Sequence, residues 1–166
     1  AGIYPIFTQI TTFNQENYIR TALMDNLRAG MDRITRELRE ATSVDLEDNG
    51  ELTYTYIIFS HPSSNPDAIG GTESVKYELS TSSYSISYFP EGKEISRYVY
   101  VLDEDTELWS WKGGNPITEP TIYSLKFKRI GQIIQIEIIS KVQLREKQEA
   151  LDYVYITNVT VRNPLT

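Results

Sequence analysis

A chain of 166 residues with net charge −7, 23% charged and 40% hydrophobic, is long enough to bury a core without disulfides or a metal, and one domain is the expectation. The acidic balance argues against a nucleic-acid partner, because a negative surface repels phosphate. Cysteine is absent, which excludes thiol chemistry and cysteine metal sites, and no run reaches the ~20 apolar residues of a membrane span.

A helical pattern runs over 12–43. Leu23, Leu27, Met31, Ile34, Leu38 and Ala41 recur every three or four residues and form the face expected to pack on the rest of the domain. Glu16 with Arg20, Asp32 with Arg36, Arg33 with Glu37 and Arg36 with Glu40 stand four apart on an exposed face, each pair adding ~0.3 kcal/mol. Thr42, Ser43 and Val44 end the pattern, being cap residues or β-formers. Ahead of it, Ile3, Ile6, Phe7, Ile10 and Phe13 repeat at the same spacing, so 1–13 reads as earlier turns of the same helix, cut from a longer apolar helix. At about 100° per residue this stripe is turned by roughly a quarter turn from the later one. A helix of some 40 residues spans about 60 Å, more than a domain of this size. The front stripe therefore needs a bilayer or the helices of other subunits, and Pro5 kinks or bounds it.

The period then changes to two. ELTYTYIIF (51–59) reads as a strand and 60–72, with its Pro, Gly and Ser, as a loop. SVKYELS (74–80) and SYSISYF (83–89) read as a hairpin, followed by strands ISRYVYVL (95–102) and ELWSW (107–111) and a Gly- and Pro-containing loop at 112–120. IYSLKFKRI (122–130) and QIIQIEIISKVQL (132–144) flank Gly131 and pair through a tight turn, and YVYITNVTVR (153–162) is the last strand. The pattern is α+β: a long N-terminal amphipathic helix (1–43) packed on an antiparallel β domain (44–166).

Few residues invite chemistry. His61 is the only histidine and reads as a solvated loop residue, so a His triad or multi-His metal site cannot form within this chain. DLEDNGE (45–51) opens like a calcium loop, but the twelfth position is Tyr56 where a bidentate Glu is required; a polar turn cornered by Asn49-Gly50 fits better. Asp103, Asp105 and Glu107 alternate and form a weak calcium candidate or a solvated turn. Trp109 and Trp111 share one face of a strand; they read as sheet core, or with Tyr98 and Tyr100 as a sugar-stacking platform. No phosphate loop or nucleophile elbow is present, so neither an enzymatic activity nor a cofactor is expected.

Three segments carry a likeness: AGIYPIFTQ (1–9), ALMDNLRAGMDRITRELREATSV (22–44) with its Arg36–Ala41 ending, and YITNVTVRNP (155–164); 75–88 adds to it. In these places, about a third of the chain, it resembles the soluble part of type IV pilin-like proteins, most of all the minor pilins of the W type and the J-type pseudopilins of type II secretion. The resemblance implies a structural minor subunit of a type IV pilus or secretion pseudopilus that helps initiate or cap the filament. It implies partners among other pilin or pseudopilin subunits and an inner-membrane anchor through an N-terminal helix not in this sequence. The subunit would then pass into an extracellular or periplasmic filament, with Ile3, Ile6, Phe7, Ile10 and Phe13 in the filament core. The family's cleavage site and early glutamate would lie upstream of Ala1, and its common cysteine pair is missing. The alternative is a carbohydrate- or surface-binding β domain on a helical stalk, using Trp109, Trp111 and neighbouring Tyr.

Overall fold

The computed structural model describes residues 3–65, 68, 70–86, 88–103, 105–144 and 149–163, with the backbone alone for 3–12, 86 and 103. Helix α1 runs over Ile3–Arg39, four residues short of the expected end. Its last carbonyls are taken up from elsewhere: Arg162 N–H donates to Arg39 O, and Asn163 Nδ2 donates to the carbonyls of Glu40 and Ala41. Arg36 and Arg39 complement the negative end of the helix dipole. Thr42 N–H then donates to Ser60 O, and the chain enters a sheet.

Ten strands follow: β1 (Ser43–Val44), β2 (Tyr56–Pro62), β3 (Thr72–Leu79), β4 (Tyr84–Ile86), β5 (Phe89–Gly92), β6 (Ile95–Asp103), β7 (Leu108–Pro116), β8 (Ser124–Ile130), β9 (Ile133–Val142) and β10 (Leu151–Thr160). They form three antiparallel sheets, ordered β1-β2-β3-β6-β7, β10-β9-β8 and β4-β5. The expected α+β fold, a long helix packed on an antiparallel sheet, is thereby corrected: the molecule is mostly β, with three separate sheets and one helix among the described residues. The reason lies in the strands. Ile57, Phe59, Val75 and Tyr77 of the first sheet and Leu125, Phe127, Ile134 and Ile136 of the second are buried in one core, which the apolar residues of α1 from Ile19 onward share. A bridge between Tyr54 and Phe127 ties them together.

Local assignments shift as well. β3 does not pair with β4; it lies between β2 and β6, and β4 pairs with β5. Alternation marks a strand but not its partner, and the buried Val75 and Tyr77 draw β3 to the middle. β7 runs on through Pro116, over most of the expected loop at 112–120, because Gly113 and Gly114 adopt positive φ (104° and 81°) beside a register shift and keep the strand paired. The β8–β9 turn is at Gly131, where φ is 59°.

Candidate functional site

Side chains of α1 are exposed from Phe13 to Tyr18; burial begins at Ile19. Phe13 is 63% and Tyr18 76% exposed, whereas Leu23, Leu27, Met31, Ile34, Leu38 and Ala41 are at most 2% exposed. Two devices fasten this later stretch. Asn26 accepts a hydrogen bond from Glu119 N–H (2.8 Å) and donates to Thr121 Oγ1 (2.8 Å). Next to it Gly30 lets the helix backbone approach Thr118; a Cβ there would stand 2.5 Å from the Thr118 methyl.

The second device is ionic. Arg97 on β6 donates through Nε to Glu37 of α1 (3.1 and 3.2 Å) and through Nη2 to Glu73 of β3. Tyr77 Oη donates to Glu37 Oε2 (2.7 Å), and Arg33 lies 3.5 Å from the other Glu37 oxygen. Burial alone would raise the Glu73 carboxyl, but the hydrogen bonds from Arg97 and Asn65 and the charge of Arg97 outweigh it and hold the group below its ordinary value. Burial, reinforced by the charge and hydrogen bond of Glu37, pushes the Tyr77 phenol up. For Arg97 burial acts downward, and the two carboxylates overcome it and raise the guanidinium further. His61 belongs to this cluster: it is 8% exposed and lies in β2, not in a solvated loop. Strand pairing continues to Pro62 opposite Thr72, which carries the ring inward. Nδ1 sits 2.8 Å from Pro62 O, which can only accept, so Nδ1 carries the hydrogen. Nε2 then faces Glu73 at 3.6 Å and Glu37 at 3.9 Å without a hydrogen bond. The arrangement clamps α1 to β2, β3 and β6.

The outer face of the five-stranded sheet is different. Tyr100 stands opposite Trp111 and diagonal to Trp109, with ring centroids 5.0 and 5.4 Å away. Lys76 Nζ lies 4.6 Å from the Tyr98 ring centroid and 5.7 Å from that of Trp111, and pairs with Glu78 at 2.7 Å. Tyr98 lies flat against β7 because Gly114 has no side chain; a Cβ would meet the ring at 3.0 Å. The tryptophans are therefore not sheet core, which corrects that reading: Trp109 is 41% and Tyr100 39% exposed. Spacing puts both tryptophans on one face without saying which face is inward. Beside this pair opens a cavity of about 400 Å³, with Asn65, Thr72, Glu73 and Ser74 on its other side.

Of the remaining sequence candidates, Ile3, Ile6, Phe7 and Ile10 fall on the α1 backbone, and their side chains lie outside the described residues. The Asp103 side chain does too; Asp105 and Glu107 are exposed, with Glu107 at φ 53°. Among the described residues no group of three carboxylate or histidine side chains is placed to hold a metal ion, and no helix is long and apolar enough to cross a membrane. At 45–51, Asp48 Oδ1 accepts from Gly131 N–H (2.6 Å) and Asn49 Oδ1 from Glu51 N–H (3.0 Å), the work of a polar turn. Comparison with protein-family models, curated proteins and solved structures finds no match.

Proposed function

We propose that this chain is a structural minor subunit of a type IV pilus or type II secretion pseudopilus, attached to its neighbours through the front of α1. The observation that supports this reading is the change in burial along one continuous helix. From Ile19 its apolar residues join the core, while the described side chains ahead of it are exposed. Residues 3–18 form about four turns, some 24 Å of helix, and their sequence carries the stripe Ile3, Ile6, Phe7, Ile10 and Phe13. An apolar stripe of that kind gains free energy by packing on other helices or in a bilayer. In this reading the protein waits in the inner membrane, then enters a filament outside it, and the β portion supplies lateral contacts. No catalytic step is called for.

The test exchanges Phe7 and Ile10 for Asp. In the soluble chain the melting temperature should scarcely move, since exposed substitutions are worth within about 0.5 kcal/mol. In the membrane-anchored protein the exchange should block incorporation into filaments, because two charges would enter an apolar helix bundle. Unfolding of the soluble chain, or wild-type incorporation of the variant, refutes the reading.

A further inference from the structure

We infer that the cavity beside Tyr100 and Trp109 is a binding site for a neutral saccharide. The inference goes beyond the filament reading and is independent of it, since it rests on the β2–β3 and β6–β7 region and not on the front of α1.

The two walls differ in chemistry. One is aromatic: Trp109 and Tyr100 are stacked with 24° between their planes, and both are about two-fifths exposed on the outer face of the sheet. The rest of the lining is mixed, with Thr72, Ser74, Asn65 and Glu73 as polar residues beside Ala68, Val99 and Val101; the Ser74 hydroxyl is shared with Ser60 and the Glu73 carboxylate is held by Arg97. The volume, about 400 Å³, is that of a small-ligand site. A pyranose matches both walls, having a face of C–H groups that lies on an aromatic ring and a rim of hydroxyls that both donate and accept hydrogen bonds. The aromatic wall is also prearranged. Trp111 packs on the far side of Tyr100 at 5.0 Å, and Lys76 sits against Trp111 and Tyr98, so the rings lose little freedom on binding.

Charge narrows the class. Glu73 is among the lining residues, and the neighbouring cation, Arg97, is engaged with Glu73 and Glu37. Lys76, on the aromatic face, is paired with Glu78. With a net charge of −7 around it, the site disfavours sugar acids and nucleotides and suits an uncharged glycan.

The experiment offers the 166-residue chain cellohexaose, chitohexaose and maltohexaose, with hexagalacturonate as the anionic counterpart. Binding is read by saturation-transfer NMR on the saccharide, which does not depend on Trp109 as a reporter. At least one neutral hexaose should bind saturably, with half-saturation on the order of 1 mM. Trp109→Ala, which removes the aromatic wall, and Ser74→Gln, which fills the cavity from the polar wall, should each weaken that binding at least tenfold. Leu151→Ser, on the exposed surface of β10, should leave it unchanged. Hexagalacturonate should bind at least tenfold more weakly than the neutral ligand. The inference is overturned if none of the three neutral hexaoses binds at 20 mM, if binding survives Ser74→Gln, or if the anionic hexaose binds as tightly as the neutral one. Each of these results leaves the filament reading where it stands, because that reading is judged by incorporation and not by saccharide binding.

Discussion

Arg97 stands between Glu37 and Glu73 with its side chain 11% exposed, and it donates hydrogen bonds to both. Arg97→Met would leave two nearly buried carboxylates facing each other and the unpartnered Nε2 of His61. Removing one side of such a pair costs ~3 kcal/mol or more, to be read as a fall in the urea midpoint at neutral pH. The pH dependence follows from Glu73. Its carboxyl is held below the ordinary value of 4.5, so its contribution is fully present above that pH and is lost as the pH falls through the lowered value. Urea midpoints of the wild type should therefore drop as the pH falls below 4.5. In Arg97→Met this acid-induced drop should be smaller, because the hydrogen bond and charge of Arg97 no longer act on Glu73 and only Asn65 and His61 remain to oppose burial. Of this cluster only the Arg33–Glu37 pair, four apart on α1, was legible in the sequence. Glu37, His61, Glu73 and Arg97 are separated by 12 to 60 positions, and His61 stands beside a proline in a segment rich in turn-formers, where strand pairing with 72–74 overrides the local signal.

At the scale of elements, the later stripe of α1 is the part that periodicity exposes most directly, since its period of 3.6 has no competing explanation over five turns. Leu27 and Ile34 are at most 1% exposed, and truncating either to Ala should cost ~2–4 kcal/mol in denaturant unfolding. Gly30 shows what periodicity leaves out. Helix propensity predicts that Gly30→Ala gains about 1 kcal/mol. The structure predicts a net loss, because the new methyl would meet Thr118 Cγ2, and Thr118 cannot turn aside while its Oγ1 accepts from Ile95 N–H at 2.8 Å. A higher melting temperature for Gly30→Ala would contradict the close packing of α1 on the 117–121 segment. The strands divide in the same way. β8, β9 and their turn at Gly131 could be read from alternation and one glycine. The continuation of β7 through Gly113 and Gly114 could not, because glycine signals a loop unless a partner strand is there to hold its positive φ. The aromatic wall sits at that boundary: the spacing of Trp109 and Trp111 gives a shared face, and only the sheet order makes it the outer one.

For the whole molecule, composition and alternation indicate a β-rich chain led by one helix, but not that the strands separate into three sheets or that two of these share the core with the later turns of α1. That partition depends on pairings between distant segments, such as Tyr54 with Phe127, which local pattern does not encode. Its consequence is a difference along α1: the clamp at Glu37, Asn26 and Gly30 holds the later turns, whereas the described side chains from Phe13 to Tyr18 are exposed, with Gln15 hydrogen-bonded to Tyr88 Oη. The most direct measurement places benzoylphenylalanine at position 13, where Phe13 is 63% exposed, in the protein within its native cells. Illumination of sheared filaments should yield covalent adducts to other filament subunits, and the same residue in the isolated soluble chain should yield none. Filament fractions in which position 13 captures only lipid or its own domain, or which lack the protein altogether, would contradict assembly through the front of α1.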